Sequence, residues 1–84
     1  MKFKTYNETQ IIKFTKSEFL ELKNKMVEIY FKEINRNPIT GKITRLGFSS
    51  NPKNPLPFDL TLESQENLET FEIGVQRIKK IKFL

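Results

Sequence analysis

Turn-forming residues divide the second half of the chain into short segments, and this punctuation constrains the fold more than any other feature. Residues 35–38 (Asn-Arg-Asn-Pro) form a turn cluster. Three prolines within residues 52–57 exclude regular structure there, because each removes an amide donor and fixes φ. Residues 58–63 then alternate apolar and polar side chains. From residue 35 onward the sequence therefore predicts short strands. In the alternating segment, the side chains predicted to point inward are those of Phe58, Leu60 and Leu62.

A helix start precedes these strands. Thr15 and Glu18 have the spacing of a capping box, in which each side chain accepts a hydrogen bond from the other residue's amide. Phe14 and Phe19 occupy the positions of a hydrophobic staple around the same cap. Two start signals in one register predict a capped helix over residues 15–25.

Residues 26–34 fit two patterns. Met26, Tyr30 and Ile34 recur at four-residue spacing, which would continue the helix to residue 34. The stretch also places β-branched and aromatic side chains on alternate positions from residue 27 to residue 31, which is typical of a strand. The strand is favoured, and the long helix remains the alternative.

The other segments complete the domain organisation. Gly41 opens a strand that ends near Phe48, and a last short strand closes the chain at residues 81–84. Before the helix, Phe3/Thr5 and Ile12/Phe14 are predicted as strands about a turn near Asn7. We expect one domain over 1–84, with an N-terminal extension or extra strands (1–14), the capped helix (15–25) and a β-barrel (26–84).

A helix followed by five short strands predicts a mainly β fold, a small SH3-like or Sm-like five-stranded barrel. The alternative is an α+β domain in which a long helix, 16–34, packs on an antiparallel sheet. Residues 41–46 are similar to the G-x-I-x-x-φ segment of the second Sm strand. Residues 19–30 resemble the helix-into-strand entry of the bacterial Sm-like RNA chaperone, and residues 71–81 resemble the end of its barrel. The YolD-like proteins of low-GC bacteria and their phages have a comparable layout.

This resemblance covers residues 15–84 and implies the fold. Gly47 stands where Sm proteins usually carry an acidic residue. The turn at residues 74–77 lacks the Tyr-Lys-His segment with which the RNA chaperone contacts RNA. Uridine binding and a hexameric ring are therefore not expected from the resemblance.

The composition argues against catalysis. The 84 residues include no His and no Cys, so there is no thiolate nucleophile, no imidazole proton shuttle and no Cys/His zinc site. Phosphate-binding glycine loops and a G-x-S-x-G motif are also absent from the sequence. Asp59 and Glu63 fall on the solvated face of one predicted strand. We predict a protein that is not an enzyme and that uses no cofactor and no metal.

The net charge of +5 is concentrated near the ends of the chain. Residues 74–84 contain four basic residues and no acidic one. In a small barrel these four residues would lie near the basic residues of the second strand. Together they would form a positively charged groove for phosphates, with aromatic rings available for stacking on nucleobases. An alternative is a charged strand edge that prevents aggregation. The candidate nucleic-acid-binding residues are Lys42, Arg45, Arg77, Lys79, Lys80 and Lys82, with Phe48 and Tyr30 for stacking.

The leading hypothesis is a small non-catalytic nucleic-acid-associated accessory or regulatory module of bacterial, phage or mobile-element origin, with RNA or single-stranded DNA as partner. The alternative is a protein-interaction module that docks through an edge strand or the Pro-rich loop. Self-association into a homo-oligomer through edge strands is a third hypothesis. No apolar run reaches the roughly 18 residues of a membrane span, so no membrane partner and a cytoplasmic location are expected.

The aromatic residues are predicted to serve mainly the core. Large apolar rings at inward positions of the pattern bury the most area per residue. The inward set is Phe14, Phe19, Phe31, Phe58, Phe71 and Phe83, and the surface set is Phe3, Tyr6, Tyr30 and Phe48.

Overall fold

The computed structural model describes residues 4–50, 53 and 55–84. Its described residues form a mainly β structure with two short helices. Six antiparallel strands make one open sheet in the order β1-β6-β2-β3-β4-β5. The predictions for Phe3 and Pro52 lie outside the described residues. The elements are β1 Thr5–Asn7, α1 Glu8–Ile11, α2 Lys16–Leu20, β2 Met26–Phe31, β3 Ile39–Phe48, β4 Pro57–Ser64, β5 Thr70–Gly74, a 3-10 turn Val75–Arg77, and β6 Ile78–Phe83.

The strand predicted at residues 26–34 is present as β2, and the alternative helix to residue 34 is wrong. Asn24 has a φ of 68°, the left-handed conformation in which helical segments commonly end. Its amide donates to the Ile43 carbonyl at 2.7 Å, and the Ile43 amide donates to the Lys25 carbonyl at 3.1 Å. The chain is thus paired with β3 before β2 begins. Pairing with β3 therefore determines that this segment is a strand, although its local sequence pattern also fitted a helix.

Helix α2 begins at the predicted cap but is shorter than residues 15–25. The Glu18 amide donates to the Thr15 hydroxyl at 3.2 Å, and the Thr15 amide donates to the Glu18 carboxylate at 3.0 Å. The helix ends at Leu20, and turns lead on to Asn24. Phe19 and Leu22 are completely buried, so this short segment is held by packing against the sheet.

The N-terminal segment differs from its prediction. Thr5–Asn7 is a strand, but the second predicted strand at Ile12/Phe14 is wrong, because Asn7 caps helix α1. Its side chain accepts from the Gln10 amide at 3.0 Å, and the Asn7 amide donates to the Gln10 side chain at 2.9 Å. The Asn-x-x-Gln spacing is a capping box that the sequence displays.

Tyr6 was expected at the surface and is instead part of the core. Only 7% of the residue is exposed. Its ring packs edge-on against Phe14, with 5.0 Å between centroids, and against Phe83 at 5.8 Å. Because β1 pairs with β6 residue by residue, Tyr6 lies directly opposite Ile81 on the buried face of the sheet.

The core lies on one face of the sheet, beneath the two helices. It includes Leu60 and Leu62, as the alternation of residues 58–63 predicts, while Phe71 and Phe83 are half-buried against it. The most deeply buried side chains are Ile11, Phe19, Leu22, Val27, Ile29, Ile43, Leu60, Leu62, Ile73, Ile78 and Ile81.

The prediction that Phe58 points inward is wrong, because 60% of this residue is exposed. Gly47 pairs with Asp59 and Phe48 pairs with Pro57, so β4 advances two residues while β3 advances one. Phe58 is the extra residue of this β-bulge. A bulge interrupts the alternation of faces and turns its extra residue away from the ladder.

Candidate nucleic-acid interface

The lysine-rich strand β6 lies inside the sheet. It pairs with β1 on one side and with β2 on the other, and the sheet ends at β1 and β5. The interpretation of its lysines as protection for a strand edge is therefore wrong. Both neighbours hold the backbone of β6, so its side chains project from fixed positions.

Two of the β6 lysines share the face of the sheet that points away from the core. Lys80 lies opposite Asn7 and Tyr30, and Lys82 lies opposite Thr5 and Glu28. The intervening Ile81 is completely buried. The register also identifies Lys79 as the extra residue of a bulge, because Tyr30 pairs with Lys80 while Phe31 pairs with Ile78.

Tyr30 belongs to the same outer face, and its side chain already has two partners. The Lys80 ammonium lies 4.4 Å from the ring centroid, a cation–π contact. The Tyr30 hydroxyl donates a short hydrogen bond to the Glu28 carboxylate, and this bond raises the pKa of Tyr30 above its ordinary value of 10.0. A base stacking on the covered side of the ring must displace Lys80.

The basic residues of β3 lie opposite acidic or neutral residues on the neighbouring strands. Lys42 pairs with Met26 on β2 and with Glu63 on β4. Arg45 pairs with Thr61, whose partner on β5 is Glu72. Strand β2 separates β3 from β6, which places their backbones roughly 10 Å apart. Lys42 and Arg45 both lie on the outer face that carries Lys82, and Arg45 is farther along β3, beyond the register shift that follows Ile43.

Arg77 is held at a separate cluster. Its guanidinium donates to the Glu33 carboxylate at 2.6 Å, and Arg36 donates to the same oxygen at 3.3 Å. The Arg36 guanidinium lies 3.9 Å from the centroid of the Phe31 ring. The hydrogen bond from Arg77 is the main reason that the pKa of Glu33 lies below its ordinary value of 4.5. Arg77 thus joins the turn before β6 to the loop after β2.

The lowered pKa of Glu33 predicts a pH-dependent contribution to stability. A carboxyl group whose pKa is lowered by folding stabilises the folded state above the unfolded-state pKa, and this contribution is lost as the pH falls through the folded-state pKa. We expect Glu33→Gln to be less stable than the wild type at pH 7, and we expect the difference to shrink as the pH falls below 4.5 and to vanish only below the lowered pKa of folded Glu33. Urea unfolding between pH 7 and pH 3 measures it. Glu66→Gln, outside this cluster, is the control, and a pH-independent difference would contradict the prediction.

Phe48 lies with helix α2 and not with β6. Its ring packs edge-on against Phe19 with 5.4 Å between centroids, and the Lys16 ammonium is 5.8 Å from the Phe48 centroid. Of the eight candidate residues, the outer face of the sheet brings together Tyr30, Lys80 and Lys82, with Lys42 two strands away from β6. Arg45 lies farther along the outer face of β3, Lys79 is the bulge residue of β6, and Arg77 and Phe48 lie elsewhere.

The sequence analysis missed a second group of lysines. Lys4, Lys23 and Lys25 surround a depression whose lining includes Met26 and Phe83. Residues 1–25 contain six lysines against three glutamates, so the charge excess was visible in the sequence. Their convergence was not, because it depends on the pairing of β1 with β6.

Two absences in the described part of the chain and one comparison of the whole chain bear on function. The described part contains no cluster of three or more acidic residues arranged to hold a metal ion. No helix in it has the length and apolar character needed to cross a membrane. Comparison with protein-family models, with curated proteins and with solved structures returned no match. A functional proposal must therefore be based on the residues of this chain and their arrangement.

Proposed function

We propose that the protein is a small non-catalytic nucleic-acid-associated accessory or regulatory module of bacterial, phage or mobile-element origin, whose partner is RNA or single-stranded DNA. The observation that carries this proposal is the position of Lys80 and Lys82 on the outer face of an interior strand. Positive charge at fixed positions on a sheet face suits contact with a phosphate backbone, and it does not serve to protect an edge.

We also propose that the sheet closes into a small SH3-like or Sm-like barrel. The order β6-β2-β3-β4-β5 supports this, because the last strand returns to the first strand of the meander. Register shifts after Ile43 and after Gly47 favour a strongly bent β3, since bulges increase local bending and twist. Strand β4 also contacts the 3-10 turn that follows β5. Long-range backbone contacts measured by NMR between β5 and the opposite end of the sheet would test closure.

The functional proposal predicts salt-dependent binding to single strands. For each phosphate neutralised, the slope of log K against log salt concentration changes by about −0.7. The double variant Lys80→Gln/Lys82→Gln should therefore bind labelled oligonucleotides more weakly and with a slope smaller in magnitude by about 1.4. Fluorescence anisotropy at several salt concentrations measures both quantities.

A matched control removes the same charge elsewhere. Lys13 and Lys16 are exposed residues before and within the first turn of α2. The variant Lys13→Gln/Lys16→Gln should keep the wild-type slope. Absence of wild-type binding at low salt, or binding that does not respond to salt, would contradict the nucleic-acid proposal.

An apolar patch favours protein docking as the second candidate function. Phe58 and Ile12 are 60% and 52% exposed, and both line a depression that reaches Gly74 at the end of edge strand β5. Edge strands can accept an extended peptide through their free backbone groups. Phe58→Gln separates the candidates, because it alters this patch and leaves the β6 lysines in place. Unchanged oligonucleotide affinity would show that the patch is not part of the nucleic-acid surface and is available to a protein, whereas a loss would place nucleic-acid contact at the patch and contradict this second candidate.

A further inference from the structure

A depression at one end of the sheet combines positive charge with an apolar floor. Its volume is about 590 Å³, and its lining includes three lysines and one acidic residue, Glu21. The apolar part of the lining consists of Met26, Phe83 and Leu84. Met26 is 36% exposed and Phe83 is half-buried, so both present surface to solvent.

The backbone around this depression is held in place by long-range hydrogen bonds. The Phe83 amide donates to the Lys4 carbonyl at 2.7 Å, which attaches the N-terminal lysine to β6. The Lys25 carbonyl accepts from the Ile43 amide at 3.1 Å, which attaches the loop after α2 to β3. The lysines therefore converge because two separate segments, the one at Lys4 and the loop after α2, are fixed to the sheet.

The chemistry of the lining selects a ligand that is both flat and anionic. Lysine ammonium groups bind phosphate as point charges, whereas an exposed aromatic face offers a stacking surface to a base. Phe83 makes an edge-on contact with Tyr6, with 5.8 Å between ring centroids, and the same residue lines the depression. A nucleotide unit of a single strand has both required parts.

We propose that this depression is a nucleotide subsite for single-stranded nucleic acid, in which a base stacks on Phe83 and Met26 while Lys4, Lys23 and Lys25 contact the adjoining phosphates. The inference rests on the proposed function and deepens it by locating the base contact. Lys82 directly precedes Phe83 on β6 and projects from the opposite face of the strand, so the subsite lies at the end of the sheet, beside and not on the face that carries Lys80 and Lys82. The two aromatic residues first considered for stacking are engaged elsewhere, Tyr30 by Lys80 and Phe48 by Phe19.

The charged part of the subsite is tested with Lys23→Gln/Lys25→Gln. Labelled oligouridylate and oligothymidylate are the probes, and anisotropy is recorded over a series of salt concentrations. We expect weaker binding and a slope smaller in magnitude by about 1.4, which corresponds to two lost phosphate contacts. The control Lys13→Gln/Lys16→Gln removes the same charge and should retain the wild-type slope.

The stacking part is tested with Phe83→Leu, which keeps an apolar side chain against Tyr6. Base stacking on an aromatic ring contributes about 5- to 150-fold in affinity, so we expect a loss in that range with an unchanged salt slope. Inorganic polyphosphate, which has no bases, should bind Phe83→Leu as it binds the wild type. Met26→Gln provides a second variant if Phe83→Leu unfolds, and thermal melts followed by circular dichroism establish which variants are folded.

The outcomes distinguish this inference from the function on which it rests. If the wild type binds no oligonucleotide, both fall. If Lys80→Gln/Lys82→Gln weakens binding but the variants at Lys23, Lys25, Phe83 and Met26 do not, the proposed function stands and the subsite is refuted. If a folded Phe83→Leu loses polyphosphate and oligonucleotide equally, stacking is refuted.

Discussion

Gly41→Ala should destabilise the protein by about 3 kcal/mol, the upper part of the usual range for overpacking. A Cβ atom at this position would lie 2.2 Å from the Glu63 carbonyl oxygen and 3.1 Å from the Leu62 side chain. The first of these contacts is with backbone, which cannot rotate away. Gly41 pairs with Val27 on β2 and with Ser64 on β4, so any shift spreads through three strands.

The matched control is Gly74→Ala. A Cβ atom at Gly74 would meet nothing within 4 Å, and its φ of −66° with ψ of 133° suits any L-residue. This variant should be as stable as the wild type or more stable by about 0.4–1 kcal/mol, because alanine restricts the unfolded chain. Urea unfolding followed by circular dichroism compares the two variants. Equal stability of Gly41→Ala and Gly74→Ala would show that β3 and β4 are not packed this closely.

Phe19→Ala should cost about 3–5 kcal/mol, the usual range for deleting a fully buried aromatic side chain. Phe19 has no exposed surface, and its ring packs against Phe48. A chain of 84 residues has a free energy of unfolding of about 4–13 kcal/mol. The loss is therefore a large share of the total, and we expect a clearly lower urea midpoint and a lower melting temperature than in the wild type.

Phe58→Ala makes the same chemical change at an exposed position. Since Phe58 is 60% exposed, its truncation removes little buried area, and the free energy of unfolding should fall by less than about 1 kcal/mol. Thermal and urea unfolding of both variants test the contrast. A comparable loss in the two would contradict the assignment of Phe19 to the core and of Phe58 to the surface.

The fold could be predicted from the sequence wherever local signals agree with tertiary pairing. The cap at Thr15 is formed by residues three apart, and the alternation of Leu60 and Leu62 follows the period of a strand. Phe58 shows where such reasoning fails. Its position depends on a bulge whose register is shared with β3, and alternation within one strand contains no information about its neighbour.

The candidate site was less predictable because its contacts join distant parts of the chain. The charge of residues 77–82 was evident, but the pairing of Arg77 with Glu33 spans 44 residues. The lysines around Phe83 come from the residue before β1 and from the loop after α2. Only the order and register of the strands show which basic residues share one face of the sheet.

The position of β6 between β1 and β2 has a consequence for the order of folding. Both neighbours precede β6 in the chain, and among the described residues no hydrogen-bonded ladder joins them to each other. During synthesis, β1 and its capped helix must wait without a strand partner until residues 78–83 have emerged. The final ladder closes over a separation of 77 residues between Thr5 and Lys82, and such non-local pairing is formed slowly. The last strand to be synthesised is therefore the one that attaches β1 to the rest of the sheet.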